Sequence, residues 1–134
     1  MMKTSQMLVD EALAEVRTVS VADALEMHVQ AGVLMVDLRE HGELRKHGCI
    51  PGAFHVPRGL LEFWFDPTPG MGKPQLTRPD LTYLLFCAAG MRSALAARTL
   101  QDMGMTQVCH LAGGFEAWRQ MGGPTQAMEE ILTR

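Results

Sequence analysis

Apolar and polar residues alternate along the chain in a pattern that predicts strands and helices in turn. The run Val33 to Leu38 is almost continuously apolar, as expected of a strand that is covered on both faces of a sheet. Further strands are predicted at 18–19, 53–56, 82–86 and 107–111, and helices at 5–16, 21–31, 40–46, 91–103 and 115–121. This alternation predicts an α/β fold, a mostly parallel five-stranded sheet with helices on both faces and an extra N-terminal helix. In the last helix, Phe115, Trp118 and Met121 are expected to form the buried stripe.

The size and composition of the chain are those of one ordinary domain. Its 134 residues, 47% of them hydrophobic and 20% charged, suffice for a buried core. A formal net charge of -3 gives no reason to expect nucleic acid as a partner. No apolar run approaches the ~20 residues of a membrane span, and no apolar signal core precedes Asp10 and Glu11. We therefore expect a cytoplasmic protein that does not enter a membrane.

The chain divides into three predicted parts and contains one irregular segment. Residues 1–17 are predicted to be an N-terminal helix packed on the domain, 18–124 the domain itself, and 125–134 a C-terminal tail or short helix. Between 57 and 79 the strand–helix pattern breaks, and a loop of this length is usually functional or mobile. Its aromatic residues Trp64 and Phe65 form either an apolar lid or a satellite of the core.

The cysteine and histidine residues lack the spacing of a disulfide framework or a metal site. The three cysteines are an odd number with no Cys-x-x-Cys pair, which argues against a disulfide framework. The five histidines are scattered and have no zinc-type spacing with the cysteines. We therefore expect no metal and no other cofactor, and we expect Cys109, in the middle of a strand, to be an inert core residue.

Cys87 opens the segment with the strongest signal for chemistry. The apolar strand Thr82 to Phe86 leads directly into it, and the helix predicted to begin at Met91 follows. In a parallel α/β sheet, ligands bind beyond the carboxyl ends of the strands, which is where this thiol lies. The backbone N–H groups from Ala88 to Arg92 are expected to curl around the sulfur, and Gly90 provides the conformational freedom for that turn.

Two features of this loop are expected to favour an anionic sulfur. The positive end of a helix is worth up to ~2 kcal/mol to a partly buried anion, and the Arg92 guanidinium adds a positive charge. We therefore expect Cys87 to be largely a thiolate at neutral pH, without a general base beside it. The alternative is a buried, unreactive core cysteine.

Three further segments of the chain, taken with the loop, point to one family. They are Val36-Asp37-Leu38-Arg39 followed by Glu43, Gly48-Cys49-Ile50-Pro51-Gly52-Ala53, and Leu111-Ala112-Gly113-Gly114-Phe115 followed by Trp118 and Gly122 to Pro124. The first resembles the Asp-x-Arg segment, the second the Gly-His-Ile-Pro-Gly-Ala signature and the third the C-terminal signature of the rhodanese-like sulfurtransferase family. The match runs from about Val19 to Pro124, and Cys87 to Arg92 falls at the family's six-residue active-site loop.

The resemblance implies a two-step transfer of sulfur. Cys87 would take a sulfane sulfur from thiosulfate or a persulfide donor, become a persulfide, and pass the sulfur to cyanide, a thiol or a protein. The Arg92 side chain would bind the oxyanion of the donor, and Met91 would shape the mouth of the pocket. The N–H groups expected to hold the terminal sulfur are those of Ala88, Ala89, Gly90, Met91 and Arg92.

Asp37, Arg39 and Arg58 are further candidates at the ends of neighbouring strands. Asp37 and Arg39 either form an ion pair that orders the loops, which we favour, or take part in binding and chemistry directly. Arg58 either adds positive charge for an anionic donor or is a solvated surface residue. His55, inside a strand, is expected to be a structural histidine.

Cys49 stands where the family has a histidine. It is either a structural residue, which we favour, or a resolving thiol that accepts the persulfide or forms a disulfide with Cys87. Because Cys49 precedes its strand and Cys87 follows its own, we expect the two thiols toward opposite ends of the sheet.

Two other functions stay open at this point. In one, the domain carries or senses sulfur for a partner with little turnover. In the other it is a phosphatase or arsenate reductase, since the resemblance extends to such enzymes. Their loops have five residues between cysteine and arginine, whereas four, Ala88 to Met91, intervene here. The shorter loop makes a smaller ring of amides, which suits one sulfur atom better than a tetrahedral phosphate.

Overall fold

A five-stranded sheet forms the centre of the protein, in a computed structural model that describes residues 1–128. The strands are β1 (Thr18–Val19), β2 (Val33–Asp37), β3 (Phe54–His55), β4 (Thr82–Phe86) and β5 (Val108–Leu111), in the spatial order β1-β5-β4-β2-β3. Each neighbouring pair of these strands is parallel. The predicted α/β fold with a five-stranded sheet is confirmed, and the sheet is entirely parallel rather than mostly so.

Six α-helices accompany the sheet within the described residues. They are α1 (Ser5–Leu13), α2 (Val21–His28), α3 (His41–His47), α4 (Leu61–Trp64), α5 (Met91–Asp102) and α6 (Gly114–Gln120). The apolar spacing predicted that α1 and α2 extend to residues 16 and 31. They end earlier, at Leu13 and His28, because the chain turns there. Over residues 1–128, no helix combines the length and the apolar sequence that a membrane crossing requires.

Different helices cover the two faces of the sheet because successive residues of a strand point to opposite sides. In β4, Tyr83 and Leu85 pack with α4 and α5, whereas Leu84 and Phe86 pack with α2 and α6. Both faces are therefore apolar and buried, which explains the nearly continuous apolar sequence of the central strands.

The N-terminal helix packs on α5. Val9 and Ala12 of α1 form a small buried cluster with Ala94. The division at residues 17 and 124 remains a prediction. In the segment predicted as a tail or short helix, Gln126 forms an isolated antiparallel bridge with Cys49, and residues 129–134 lie outside the described residues.

The irregular segment 57–79 packs its aromatic residues into the core. Phe65 is buried and lies edge-on to Tyr83, with ring centroids 5.3 Å apart. Trp64 is half-buried against the same core cluster, and the Lys73 ammonium lies 4.3 Å from its ring centroid. Of the two predictions for Trp64 and Phe65, core packing is the one observed.

The buried stripe of α6 is shorter than the sequence predicted. Phe115 and Trp118 are buried as expected, but Met121 is 60% exposed. The helix ends at Gln120, and the left-handed conformation of Gly122 (φ 80°) then turns the chain. The Trp118 indole Nε1 donates to the Pro124 carbonyl at 2.9 Å. The turn after α6 therefore packs on the Trp118 ring, in the place predicted for Met121.

The register of β2 and β4 brings two candidate segments to one edge of the sheet. Asp37 is the partner of Phe86 across the ladder, and the Leu38 N–H donates to the Phe86 carbonyl at 2.9 Å. Cys87, the residue after Phe86, therefore lies at the same carboxyl edge as Asp37.

Candidate active site

The Cys87 sulfur lies at the start of α5 and accepts hydrogen bonds from that helix. Cys87 is 1% exposed, and its Sγ accepts the N–H of Gly90 at 3.2 Å and the N–H of Ser93 at 3.4 Å. An α-helix leaves its first four N–H groups without intrahelical partners. The sulfur thus takes the place of an N-cap side chain, because the N-cap residue, Gly90, has none.

Gly90 turns the loop so that these N–H groups converge on the sulfur. Its φ of 106° lies in the left-handed region, which side chains disfavour. On either side of it, Ala89 and Met91 are exposed, Met91 to 54%. Met91 thus lies on the surface at the start of α5, and its part in shaping a pocket mouth remains a prediction.

The donors to the sulfur differ in part from those expected from the sequence. Of the N–H groups from Ala88 to Arg92, only that of Gly90 donates to Sγ within the described chain, and the second donor is Ser93. Ser93 is not among the donors expected from the sequence. The available signal was its position three residues after Gly90, where the N–H of a first helical turn bonds the capping group.

The N-terminus of α6 holds the loop from the other side. The N–H of Phe115 donates to the Cys87 carbonyl at 2.8 Å, and that of Glu116 to the Ala88 carbonyl at 3.1 Å. Gly114 has a φ of 62°, and a Cβ at this position would lie 2.5 Å from the Cys87 carbonyl oxygen. The absence of a side chain at Gly114 is what lets the two backbones approach.

Arg92 is held by a carboxylate on a neighbouring helix. Its two terminal nitrogens donate to the two Glu43 oxygens, each at 2.8 Å. The hydrogen bonds from Arg92 lower the pKa of Glu43 from 4.5 to about 2, and the bonds to Glu43 raise the pKa of Arg92. This fork uses two of the five guanidinium N–H donors, and the other three have no partner within residues 1–128.

Asp37 and Arg39 form the buried ion pair that the sequence analysis favoured. Both are 1% exposed, and Arg39 Nε and Nη2 donate to the Asp37 carboxylate at 3.0 and 2.7 Å. Arg39 also donates to the Gly48 carbonyl at 2.8 Å, and its guanidinium carbon lies 4.0 Å from the Phe115 ring centroid. The pair therefore joins the end of β2 to the segment before β3 and to α6.

His55 has a structural contact, as expected. Its Nε2 lies 2.6 Å from the Arg39 carbonyl oxygen, so the ring donates to the backbone of the segment that Arg39 anchors. His55 thereby fixes the end of β3 to the end of β2.

Arg58 has its contacts away from the loop. Its guanidinium donates to the Glu62 carboxylate at 2.9 Å and to the Thr99 hydroxyl at 3.4 Å. Thr99 lies about two helical turns along α5 from Arg92. A role for Arg58 in binding a donor remains a prediction, with no contact between Arg58 and the loop among the hydrogen bonds and ion pairs of residues 1–128.

Cys49 lies at the carboxyl edge of the sheet, and the expectation of an opposite position is wrong. It lines a cavity of about 210 Å³ together with Asp37 and His55, the last residues of β2 and β3. The hydrogen bond from Arg39 to Gly48 holds the segment before β3 at that edge. Cys49 is a free thiol, and burial raises its pKa. Its backbone pairs with Gln126 at 2.8 and 2.9 Å, and a resolving role remains a prediction.

A chain of hydrogen bonds behind the sulfur also escaped the sequence analysis. Ser93 Oγ lies 3.7 Å from the Cys87 sulfur and 2.9 Å from His110 Nδ1. The other ring nitrogen of His110 lies 2.9 Å from the Thr18 hydroxyl. The available signal was a histidine inside the apolar strand β5, since a buried polar group requires a partner.

A small cleft borders the loop between α3 and α6. It has a volume of about 170 Å³, and its lining includes Ala88, the cations Arg39 and Arg119, and the carboxylates Glu43 and Glu116. No group of three or more histidine, cysteine, aspartate or glutamate side chains converges as metal ligands would within residues 1–128. At this end of the sheet the structure places a sulfur with two backbone N–H donors and a guanidinium that Glu43 holds in one orientation, groups of the kind that bind anions.

Comparison with known proteins identifies a family model and solved structures of similar fold. The model described as a rhodanese-like domain matches residues 20–121. The fold is similar to that of RPA3614 from Rhodopseudomonas palustris CGA009, with a TM-score of 0.88 and 42% identity over 94% of this chain and 96% of that chain. RPA3614 is described as a protein of unknown function and possible tyrosine phosphatase.

Curated relatives match over stretches of different extent. YqhL of Bacillus subtilis (strain 168), an uncharacterized protein, is 32% identical over 93 residues, 69% of this chain and 64% of its own length. The thiosulfate sulfurtransferase GlpE of Shewanella oneidensis is 29% identical over 108 residues, 81% of this chain and 97% of its own length. Others carry sulfurtransferase or sulfur-carrier names. The chain spans 40% to 64% of the length of three curated relatives, YqhL among them.

The close approach of α6 to the loop predicts that Gly114→Ala is destabilising. The left-handed conformation costs a side chain about 1–2 kcal/mol, and the new Cβ would also collide with the Cys87 carbonyl. We expect the free energy of unfolding, measured by chemical denaturation, to fall by at least about 2 kcal/mol. Gly42→Ala in α3 is the control, because a Cβ there meets no atom within 4 Å. Equal stability of the two variants would show that the close approach is not required.

The Glu43–Arg92 pair predicts a pH-dependent contribution to stability. The pKa of Glu43 is lowered to about 2 in the folded protein, so its contribution is present above pH 4.5 and is lost as the pH falls toward 2. Because both side chains are partly exposed, Glu43→Gln should cost about 0.5–1 kcal/mol at pH 7, and this difference should shrink below pH 4.5. Glu26→Gln on the exposed side of α2 is the control. A deficit of the Glu43→Gln protein that stays constant down to pH 2.5 would contradict the assignment.

Proposed function

The chain belongs to the rhodanese-like domain family, and on that premise we propose that it is a sulfurtransferase that works through a persulfide of Cys87. The donor is thiosulfate or a persulfide, and the acceptor is a thiophilic molecule such as cyanide, a thiol or a protein thiol. The observation that carries this proposal is the Cys87 sulfur at the N-terminus of α5, where the N–H groups of Gly90 and Ser93 donate to it. Such a site stabilises a negative sulfur.

In the first step, the Cys87 thiolate attacks the outer sulfur of thiosulfate. A bond forms between Sγ and that sulfur, the sulfur–sulfur bond of thiosulfate breaks, and sulfite leaves with the electron pair. Arg92 is suited to bind the oxyanion, because its fork with Glu43 leaves three donors unused and holds the guanidinium in one orientation. The N–H groups of Met91 and Arg92, in the first turn of α5, lack intrahelical acceptors and are available to the terminal sulfur.

In the second step, the acceptor attacks the terminal sulfur and releases the Cys87 thiolate. With cyanide the product is thiocyanate, and with a thiolate the product is a persulfide of the acceptor. The leaving group of this step is the Cys87 sulfur, to which the N–H groups of Gly90 and Ser93 donate hydrogen bonds. The same donors therefore stabilise the nucleophile of the first step and the leaving group of the second.

A sulfur carrier with little turnover is the alternative. Its support is the burial of Cys87, which is 1% exposed, since a sheltered persulfide is protected from adventitious thiols. In that case the persulfide forms as above but persists until a specific partner protein docks.

Phosphate ester hydrolysis, already open from the sequence, is the least favoured candidate, and the description of RPA3614 as a possible tyrosine phosphatase supports it. Four residues separate Cys87 from Arg92, and the ring of amides is correspondingly small. A tetrahedral phosphate needs donors for several oxygens at once, whereas one terminal sulfur needs few. We therefore propose sulfur transfer ahead of phosphate ester or arsenate chemistry.

The test is a one-sulfur mass gain on Cys87. We expect the protein to gain one sulfur on the Cys87 peptide after incubation with thiosulfate, and to lose it with release of thiocyanate when cyanide is added. Cys87→Ser should abolish both events, and Cys49→Ser should leave them unchanged. A gain without turnover would support the carrier. Absence of the gain, together with hydrolysis of p-nitrophenyl phosphate, would refute sulfur transfer.

Arg92 should matter more for an anionic donor than for an uncharged one. We expect Arg92→Met to lower kcat/KM for thiosulfate about 10- to 100-fold, because a charge-assisted hydrogen bond contributes about 1.5–3 kcal/mol. The rate of transfer from an uncharged organic polysulfide should fall far less. Arg58→Met is the matched control and tests the remaining prediction for Arg58. Equal losses for both donors would contradict an oxyanion-binding role of Arg92.

A further inference from the structure

A row of side chains leads from the buried Cys87 sulfur to the protein surface. The Cys87 sulfur lies 3.7 Å from Ser93 Oγ, which lies 2.9 Å from His110 Nδ1, and His110 Nε2 lies 2.9 Å from Thr18 Oγ1. Cys87, Ser93 and His110 are 1% exposed or less, whereas Thr18 is exposed. Each member of the row can both donate and accept a hydrogen bond.

A buried thiol needs such a route, because its proton has to reach water when the sulfur becomes an anion. The N–H groups of Gly90 and Ser93 cannot take that proton, since they are donors. Ser93 Oγ can accept that proton, because this hydroxyl lies beside the sulfur. Its alternative acceptor, the Gly90 carbonyl oxygen, lies at 3.3 Å, farther away than His110 Nδ1.

His110 has the environment of a neutral imidazole. Burial lowers its pKa, which disfavours the doubly protonated ring. Of the charged groups near the row, Arg92 interacts electrostatically with Cys87 at its buried end. A neutral imidazole carries one N–H and one acceptor nitrogen, and the two can exchange roles.

We propose that Ser93, His110 and Thr18 form a proton relay for Cys87, in which His110 exchanges one neutral tautomer for the other. In the thiol state, the Cys87 S–H donates to Ser93 Oγ, the Ser93 O–H donates to His110 Nδ1, and the Nε2–H donates to Thr18 Oγ1. On ionisation each proton moves one position outward. The thiol proton passes to Ser93, the Ser93 proton to Nδ1, the Nε2 proton to Thr18, and the Thr18 proton to water.

In the thiolate state every donor of the row points back toward the sulfur. Thr18 donates to Nε2, Nδ1 donates to Ser93 Oγ, and the Ser93 O–H donates to the Cys87 sulfur. One proton has passed to water, the imidazole is neutral before and after, and no atom is oxidised or reduced. The sulfur thereby gains the Ser93 hydroxyl as a third donor, beside the two backbone N–H groups.

These three residues act through Cys87 and do not touch the substrate, so they are positioning residues. The inference rests on the proposed role of Cys87 as the nucleophile. Beyond sulfur transfer itself, the tautomer of His110 reports the protonation state of Cys87.

The first test follows the tautomer of His110 by nitrogen NMR on the full chain labelled with 15N-histidine, with His110→Gln to assign the signals. In the same samples, the alkylation rate of Cys87 by iodoacetamide is followed between about pH 4 and pH 10, because alkylation requires the thiolate. We expect the Nε2–H tautomer at low pH, the Nδ1–H tautomer at high pH, and one common midpoint with the alkylation rate. In Cys87→Ser, the tautomer should stay the same throughout.

Several outcomes would overturn the relay. They are an unchanged tautomer over the range in which alkylation accelerates, a change that persists in Cys87→Ser, a protonated ring in place of a second tautomer, and an alkylation rate that does not vary with pH. An alkylation rate that does not vary with pH would mean that Cys87 does not change its protonation state over this range. The relay would then have no proton to carry.

The second test uses substitutions that remove one hydroxyl each. We expect Ser93→Ala to slow alkylation of Cys87 at pH 7 about 3- to 10-fold, because it removes one hydrogen bond to the thiolate. Thr18→Val should slow alkylation about 2- to 3-fold, and Thr18→Ser, which retains the hydroxyl, should restore the wild-type rate. Thr82→Val, at the opposite end of β4 from Cys87, is the matched control.

Wild-type rates in both Ser93→Ala and Thr18→Val would refute the relay. Neither test uses a sulfur donor. Failure of thiosulfate to form a persulfide would therefore count against the proposed function alone, and a fixed His110 tautomer would count against the relay alone.

Discussion

The interaction on which the site depends is the pair of hydrogen bonds that Gly90 and Ser93 donate to the Cys87 sulfur. These bonds do for α5 what an N-cap side chain does in other helices, so the start of the helix and the environment of the proposed nucleophile are one structure. A thiolate and the inner sulfur of a persulfide both accept such bonds. The sulfur can therefore change its covalent state without leaving the helix uncapped.

The surrounding elements fix the loop on which that contact depends. The first N–H groups of α6 bind the carbonyls of Cys87 and Ala88, so the backbone of the loop lies between two helix N-termini. Arg39, buried and paired with Asp37, supports α6 through the Phe115 ring and supports the segment before β3 through Gly48. A charge pair buried this deeply is costly to break, which makes this wall of the site rigid.

Much of the site could be predicted from the sequence because its logic is local. The order apolar strand, cysteine, glycine and helix in 82–103 specifies a thiol at a helix N-terminus, since each element has its own sequence signal. Gly113 and Gly114 could also be recognised as part of a family signature. The sequence did not indicate that Gly114 allows α6 to approach the loop. The predictions that failed concern side chains whose surroundings come from elsewhere in the chain: Met121 is exposed by a turn after α6, and Cys49 is held at the carboxyl edge by Arg39.

The sequence by itself determined the α/β fold, the position of Cys87 after β4 and the family to which the chain belongs, because hydrophobic period, glycine placement and short signatures are properties of neighbouring residues. Only the tertiary structure decided that Glu43 pairs with Arg92 and that Gly114 lets the start of α6 approach the loop. It also decided that Ser93, His110 and Thr18 form a row behind the sulfur. Thr18 and His110 are 92 positions apart, and they meet because β1 pairs with β5 in a sheet whose strand order differs from the chain order. Contacts of that kind follow from topology and register, which no local pattern specifies.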